Sequence, residues 1–192
     1  MRTEIGVALK EWSAVTDALR SGRQTLLLRK GGIAERRKGF VVEHQSFLLY
    51  PSYAHQQIDF VKPGAVTEFE KQADPGERMT LRFDTFADVV YATPLIEKTQ
   101  AHGLGAYHIW NERFINQRLA WRPEEPVWLL VLRAFELAVP IEVEALRRYA
   151  GCRSWVNLER PVLIKDAQPV LGYSCFEKMK QEVLNSLEAS RA

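Results

Sequence analysis

Basic side chains crowd one early stretch: Arg23, Arg29, Lys30, Arg36, Arg37 and Lys38, opposed only by Glu35. Guanidinium and ammonium groups neutralise phosphates and release condensed counterions, so this is the residue chemistry of contact with a polyanion. Gly31, Gly32 and Gly39 punctuate the segment from Lys30 to Gly39 and predict a loop whose tip carries Arg36, Arg37 and Lys38. The plainer alternative is a solvated loop whose charges only keep it in water. Arg29, Lys30, Arg36, Arg37 and Lys38 form the first set of candidate nucleic-acid contacts.

A second set interleaves basic and aromatic residues. Trp110, Arg113, Arg118, Trp121 and Arg122 share one stretch, and Arg153 precedes Trp155 by two positions. Aromatic faces stack bases while guanidinium groups hold phosphate or stack in turn. Arg118, Arg153 and Trp155 are the candidates taken from it. Against this, large aromatics dominate cores, and the arginines have Glu112, Glu124, Glu125 and Glu159 available as partners. Arg29 and Arg133 each end a run of apolar residues, a position that suits either a phosphate ligand at a strand end or one half of an internal ion pair.

Glu43, His44 and His55, with His108 as a further histidine, offer carboxylate and imidazole. Those groups ligate divalent metals and move protons, so they define the rival reading, a metal-dependent hydrolase. Their spacing matches no metal motif, and buried or surface histidines without chemistry explain them as well. His102 falls near a helix end, where its charge favours the dipole. Cys152 beside Arg153 lacks the base or cationic surroundings that activate a thiol. The chain has no Walker phosphate loop, G-x-G-x-x-G, G-x-S-x-G, paired C-x-x-C or acid-plus-E-x-K nuclease pattern. The reading therefore leans away from an enzyme and expects no cofactor.

These residues must be positioned by a chain of 192 residues, 46% hydrophobic and 26% charged, which fits one globular domain spanning residues 1–192. A net charge of +2 is too small to identify a partner by itself. The opening residues hold no signal-length apolar stretch, and the longest apolar run, Val127 to Leu132, is far too short to span a bilayer. Cys152 and Cys175 read as reduced, buried thiols. A cytoplasmic protein with no membrane partner is the expectation.

Hydrophobic periodicity supplies the elements. Ile5, Leu9, Trp12, Val15 and Leu19 predict a helix over 4–20, capped by Thr3 and ended at Gly22. Thr25 to Leu28 predicts a buried strand, with Phe40–Val42 and Phe47–Tyr50 as the returning arm of a hairpin. Residues 53–74 read as helical pieces broken at Pro63-Gly64, and Asp74-Pro75-Gly76 as a turn. Met79, Leu81 and Phe83 alternate as a strand does, continued by 86–91 after a bulge. Thr93-Pro94 predicts a helix start closed at Gly103, and 111–119 a further helix. Val127 to Leu137, between Pro126 and Pro140, reads as a central strand, with a buried helix as the alternative. A short helix over 142–150 ends at Gly151. The last helix has Ser174 and Glu177 as a capping box and Phe176, Met179, Val183 and Leu187 as its apolar face. The fold class is α+β: a mixed or largely antiparallel sheet flanked by helices, with a long capped C-terminal helix.

Several segments occur together in a distinctive order: Ala8-Leu9-Lys10-Glu11-Trp12, Leu27-Leu28-Arg29-Lys30-Gly31-Gly32, Val42-Glu43-His44, Phe47-Leu48-Leu49-Tyr50-Pro51, His55-Gln56, His108-Ile109-Trp110, Leu132-Arg133 and Gly151-Cys152-Arg153-Ser154-Trp155-Val156. The combination resembles the bacterial family catalogued as domain of unknown function 1802, across nearly the whole chain. The resemblance brings no activity. It implies an association, in some members, with an Mrr-type restriction-endonuclease domain, and so a link to restriction–modification. The expectation is a nucleic-acid-associated accessory or recognition domain, with DNA and a restriction–modification subunit as partners. A protein–protein interaction module without enzymatic activity is the third reading.

Overall fold

The computed structural model describes residues 3–30, 40–53, 56–65, 80–151 and 153–190. Strands β1 (Glu4–Trp12), β2 (Leu26–Arg29), β3 (Ser46–Ser52), β4 (Thr80–Leu95), β5 (Val127–Glu144), β6 (Trp155–Leu163) and β7 (Gln168–Pro169) form one sheet. Its order is β2-β5-β4-β3-β1-β6, with β7 also pairing β5. Only β1 and β3 run parallel; the other pairs are antiparallel. Helices α1 (Ser13–Arg20), α2 (Lys98–Gly103), α3 (Glu112–Ala120) and α4 (Tyr173–Ala189) complete an α+β fold with a mixed, mostly antiparallel sheet. Among the described residues no helix is long and apolar enough to cross a membrane.

The first segment departs from the expected single helix. Its first half is β1, and α1 begins only at Ser13. Ile5, Val7, Leu9 and Glu11 are all buried, a two-residue alternation that the helical spacing of Ile5, Leu9 and Trp12 had masked. Gly6 also weakens a helix there. Thr3 therefore caps nothing. Gln56 serves the helix start from a distance, its Oε1 accepting from the Ala14 N–H at 3.3 Å and the Ser13 hydroxyl at 3.1 Å. Gly22 does end the helix, with φ +70 and its N–H donating to the Leu19 carbonyl.

The expected hairpin does not form. β2 pairs with β5, Leu26 opposite Val131 and Arg29 opposite Trp128, while β3 lies between β1 and β4. Leu26, Leu27 and Leu28 are buried, and the apolar run of β5 covers them. Phe40–Val42 lies outside any strand. The loop tip 36–38 falls outside the described residues, as do His55, Asp74-Pro75-Gly76, Met79 and Cys152. Within 53–74 the described part holds one short 3-10 turn, Ile58–Phe60.

β4 and β5 confirm the strand readings and outrun them. β4 shifts register between Phe83 and Thr85, and again between Val89 and Tyr91. It continues through Thr93-Pro94, so α2 starts at Lys98, with Glu97 and Gln100 forming its capping box. β5 passes Pro140 to Glu144, replacing the first part of the helix expected over 142–150; a 3-10 turn, Arg147–Tyr149, follows. In α4, Gly172 takes the N-cap position without a side-chain cap, and Glu177 pairs with Lys180 at 2.5 Å instead of closing a capping box. Phe176, Val183 and Leu187 form the buried face as the spacing predicts. Cys175 is an exposed free thiol, not a buried one.

The bulges let the sheet curl. Arg29, at the end of strand β2 on one edge, donates a 2.6 Å hydrogen bond to Ser154, which directly precedes β6 on the other edge. The two ends of the sheet thus meet at one polar cluster.

Candidate nucleic-acid interface

The cluster grows out of strand ends. β1 delivers Lys10 and Glu11, β2 delivers Arg29 and then Lys30, and Ser154 opens the approach to β6. Glu11 is the inward-facing residue that follows Ile5, Val7 and Leu9, and only a cation and hydrogen bonds make a carboxylate tolerable there. Its Oε2 pairs with Arg29 Nη1 at 2.8 Å, and its Oε1 accepts the Trp12 N–H at 2.9 Å. Arg29 Nη1 also donates to the Lys10 carbonyl at 3.2 Å, and the guanidinium lies 5.4 Å over the Phe40 ring. Of the two roles open to Arg29, the geometry gives the internal ion pair.

Lys30 is buried, with Nζ directed at the Arg118 and Leu119 carbonyls at 3.3 and 3.5 Å. It closes the C-terminal turn of α3, where unpaired carbonyls and the helix dipole favour a cation. Burial holds its pKa below the usual lysine value, with Glu125 and Glu124 pulling the other way.

Arg118 comes from the same helix. Asn111 caps α3 by accepting the Phe114 N–H at 3.1 Å, and Phe114 stacks on the buried Trp110 at 5.1 Å. The helix is thereby locked with Arg118 over the Phe114 ring at 4.9 Å. Burial, and after it the positive charge of Arg29, push its pKa down to about 10, with Glu11 opposing. Among the described residues the Arg118 guanidinium has no hydrogen-bonded or ion-paired partner.

Trp155 packs at the rim, between Phe40 at 6.1 Å, Phe47 at 5.1 Å and His44 at 5.1 Å, and its Nε1 donates to the Val41 carbonyl at 3.1 Å. Arg153 is exposed next to it, with no carboxylate partner among the described residues. The structure therefore gathers Arg29, Lys30, Arg118 and Trp155 from three parts of the chain. Arg36, Arg37 and Lys38 lie outside the described residues, between Lys30 and Phe40, both of which are buried. Glu11, Ser154 and Phe40 were missed from the sequence. The signal for Glu11 was its place in the Ile5, Val7, Leu9 alternation.

Other basic residues are matched by acids: Arg113 with Asp59 at 3.6 Å, Arg122 with Glu125 at 3.2 Å and Arg148 with Glu159 at 3.2 Å. Arg133 lies within 6 Å of the Phe135, Tyr173 and Phe176 rings, at 5.6, 5.8 and 5.7 Å, which makes it a packing residue. A polar cavity of about 330 Å³ between α1, β3 and β4 is lined by Asp17, Arg20, Arg82 and Asp84, all engaged in ion pairs. For the rival metal site, Glu43 is exposed and His44 packs on Trp155, while His55 is outside the described residues. No group of three His, Cys, Asp or Glu side chains able to hold a metal occurs among the described residues. His108 is buried beside Trp110, and His102 sits in the last turn of α2.

Fold and cluster together define an α+β protein whose curled mixed sheet closes on a buried, arginine-rich polar knot. The chain belongs to the family described as Domain of unknown function (DUF1802), whose model matches residues 8–182. No curated protein and no solved structure matches it.

Proposed function

We propose that this chain is a nucleic-acid-associated recognition domain rather than an enzyme. One observation carries the reading: Arg118, largely withdrawn from water and without an acid partner among the described residues, stands with Arg29, Lys30 and Trp155 at the closure of the sheet. Arg29 and Lys30 hold that closure and add positive potential from behind. Arg118, the exposed Arg153 and the adjoining Arg36, Arg37 and Lys38 supply the contacts to phosphate. Contacts of this kind position a duplex without reading its bases. A restriction–modification setting, with a nuclease subunit as neighbour, is the context the family resemblance implies.

The test is a duplex-DNA titration at several salt concentrations. The slope of log affinity against log salt is expected to fall by about 0.9 for each phosphate contact removed. An Arg36/Arg37/Lys38 triple-alanine variant should bind more weakly and with a shallower slope. No affinity at low salt, or a variant indistinguishable from the parent, refutes the reading.

A further inference from the structure

Three cations meet at the closure, and their partners differ. Arg29 has Glu11, Ser154 and a carbonyl; Lys30 has two helix carbonyls. Among the described residues Arg118 has only the ring of Phe114. Arg29 repels it, Glu11 offsets only part of that repulsion, and no carboxylate among the described residues pairs with it. Withdrawing a guanidinium from water without an acceptor is unfavourable. The ring contact satisfies none of its N–H donors, and the guanidinium fork matches two oxygens of a tetrahedral oxyanion. The buried Arg29 Nε–H also lacks an acceptor among the described residues. Donors left over on two neighbouring guanidinium groups suit an anion with more than one oxygen.

We propose that Arg118, in the last turn of α3 beside Lys30 at the end of β2, binds a single phosphate group through its guanidinium fork, with the Arg29–Glu11 pair fixed behind it. The inference deepens the nucleic-acid reading by naming the group recognised, and phosphate binding itself does not depend on that reading. The phosphate has two sources, a phosphorylated strand end or a small phosphorylated molecule.

Calorimetric titration of the full chain with inorganic phosphate at low ionic strength is the first arm. Binding is expected with Arg118 intact and weakened by roughly tenfold or more in Arg118→Gln. No heat of binding in the parent, or equal affinity in the variant, overturns the proposal. Should Arg118→Gln fail to fold, Arg118→Lys serves. It keeps the charge and loses the planar fork, so several-fold weaker binding is expected and unchanged affinity is the contrary result. The second arm compares one oligonucleotide carrying a 5′-phosphate with the same strand ending in a 5′-hydroxyl. Tighter binding of the phosphorylated strand assigns the site to strand ends. Phosphate binding with equal affinity for both strands assigns it to a small molecule. Phosphate binding without any oligonucleotide affinity keeps the site and removes the nucleic-acid reading, whereas DNA affinity unaffected by Arg118→Gln does the reverse.

Discussion

Glu11 on β1 and Arg29 on β2 form a 2.8 Å ion pair although β3, β4 and β5 lie between their strands in the sheet order. The contact exists only because the sheet curls, so the pair reports on its closure. Both side chains are largely shielded, at 7% and 13% exposure. Removing one member leaves a shielded charge without its partner, which typically costs about 3 kcal/mol. Glu11→Ala and Arg29→Ala are each expected to lower stability by about that amount in urea unfolding. The Glu11→Leu/Arg29→Met double variant should lose much less than the sum, because it removes both charges together. Additive losses would show that the two side chains do not interact.

That pair also shows where the sequence was legible and where it was not. The strands of β4 and β5, the bulge after Phe83 and the helix α3 follow from local alternation and helical spacing, which depend on near neighbours. β1 does not, because Ile5, Leu9 and Trp12 satisfy a helical period while Ile5, Val7, Leu9 and Glu11 satisfy a strand period. The carboxylate at the fourth position of that alternation reads as a polar surface residue until Arg29 is known to face it. Pairing across three intervening strands leaves no trace in local spacing. The hairpin expected between β2 and β3 failed for the same reason: the partner of Leu26–Arg29 lies about a hundred residues away in β5. Trp110 was legible as core because large aromatics seldom stay exposed, and it is 1% exposed.

Gly22 holds a left-handed backbone at φ +70, and a Cβ there would stand 2.7 Å from the Leu171 Cδ2. Leu171 can shift, but the backbone angle remains unfavourable for any side chain. Gly22→Ala is expected to lower stability by about 1–2 kcal/mol. A thermal melt checks this, and an unchanged midpoint would mean that the turn after α1 rearranges freely.

His108 gives the protein a pH limb. Burial, and after it the charge of Lys62, push its pKa from 6.5 to about 4. The unfolded chain therefore binds a proton that the folded chain refuses between those values. The contribution is complete above about pH 6.5 and is lost as pH falls toward 4. The loss amounts to about 3 kcal/mol at most. Urea unfolding at pH 7 and pH 5 should show this decline in the parent, and a flatter profile is expected in His108→Leu. Identical profiles would remove His108 as the cause.

Arg118 and Arg29 should respond in opposite directions to the same kind of change. Arg29 has a carboxylate, a hydroxyl and a carbonyl as acceptors, so its replacement by leucine strands Glu11 and lowers stability. Arg118 has no acceptor among the described residues and sits against Phe114 under the repulsion of Arg29, only partly offset by Glu11. Leucine in its place keeps apolar contact with the ring and ends both the desolvation and the repulsion. Arg118→Leu is therefore expected to raise the stability of the ligand-free protein by about 1 kcal/mol. A side chain that destabilises the empty protein while weakening phosphate binding when removed is held for its ligand and not for the fold. A loss of stability in Arg118→Leu comparable to that in Arg29→Leu would instead make Arg118 a structural residue.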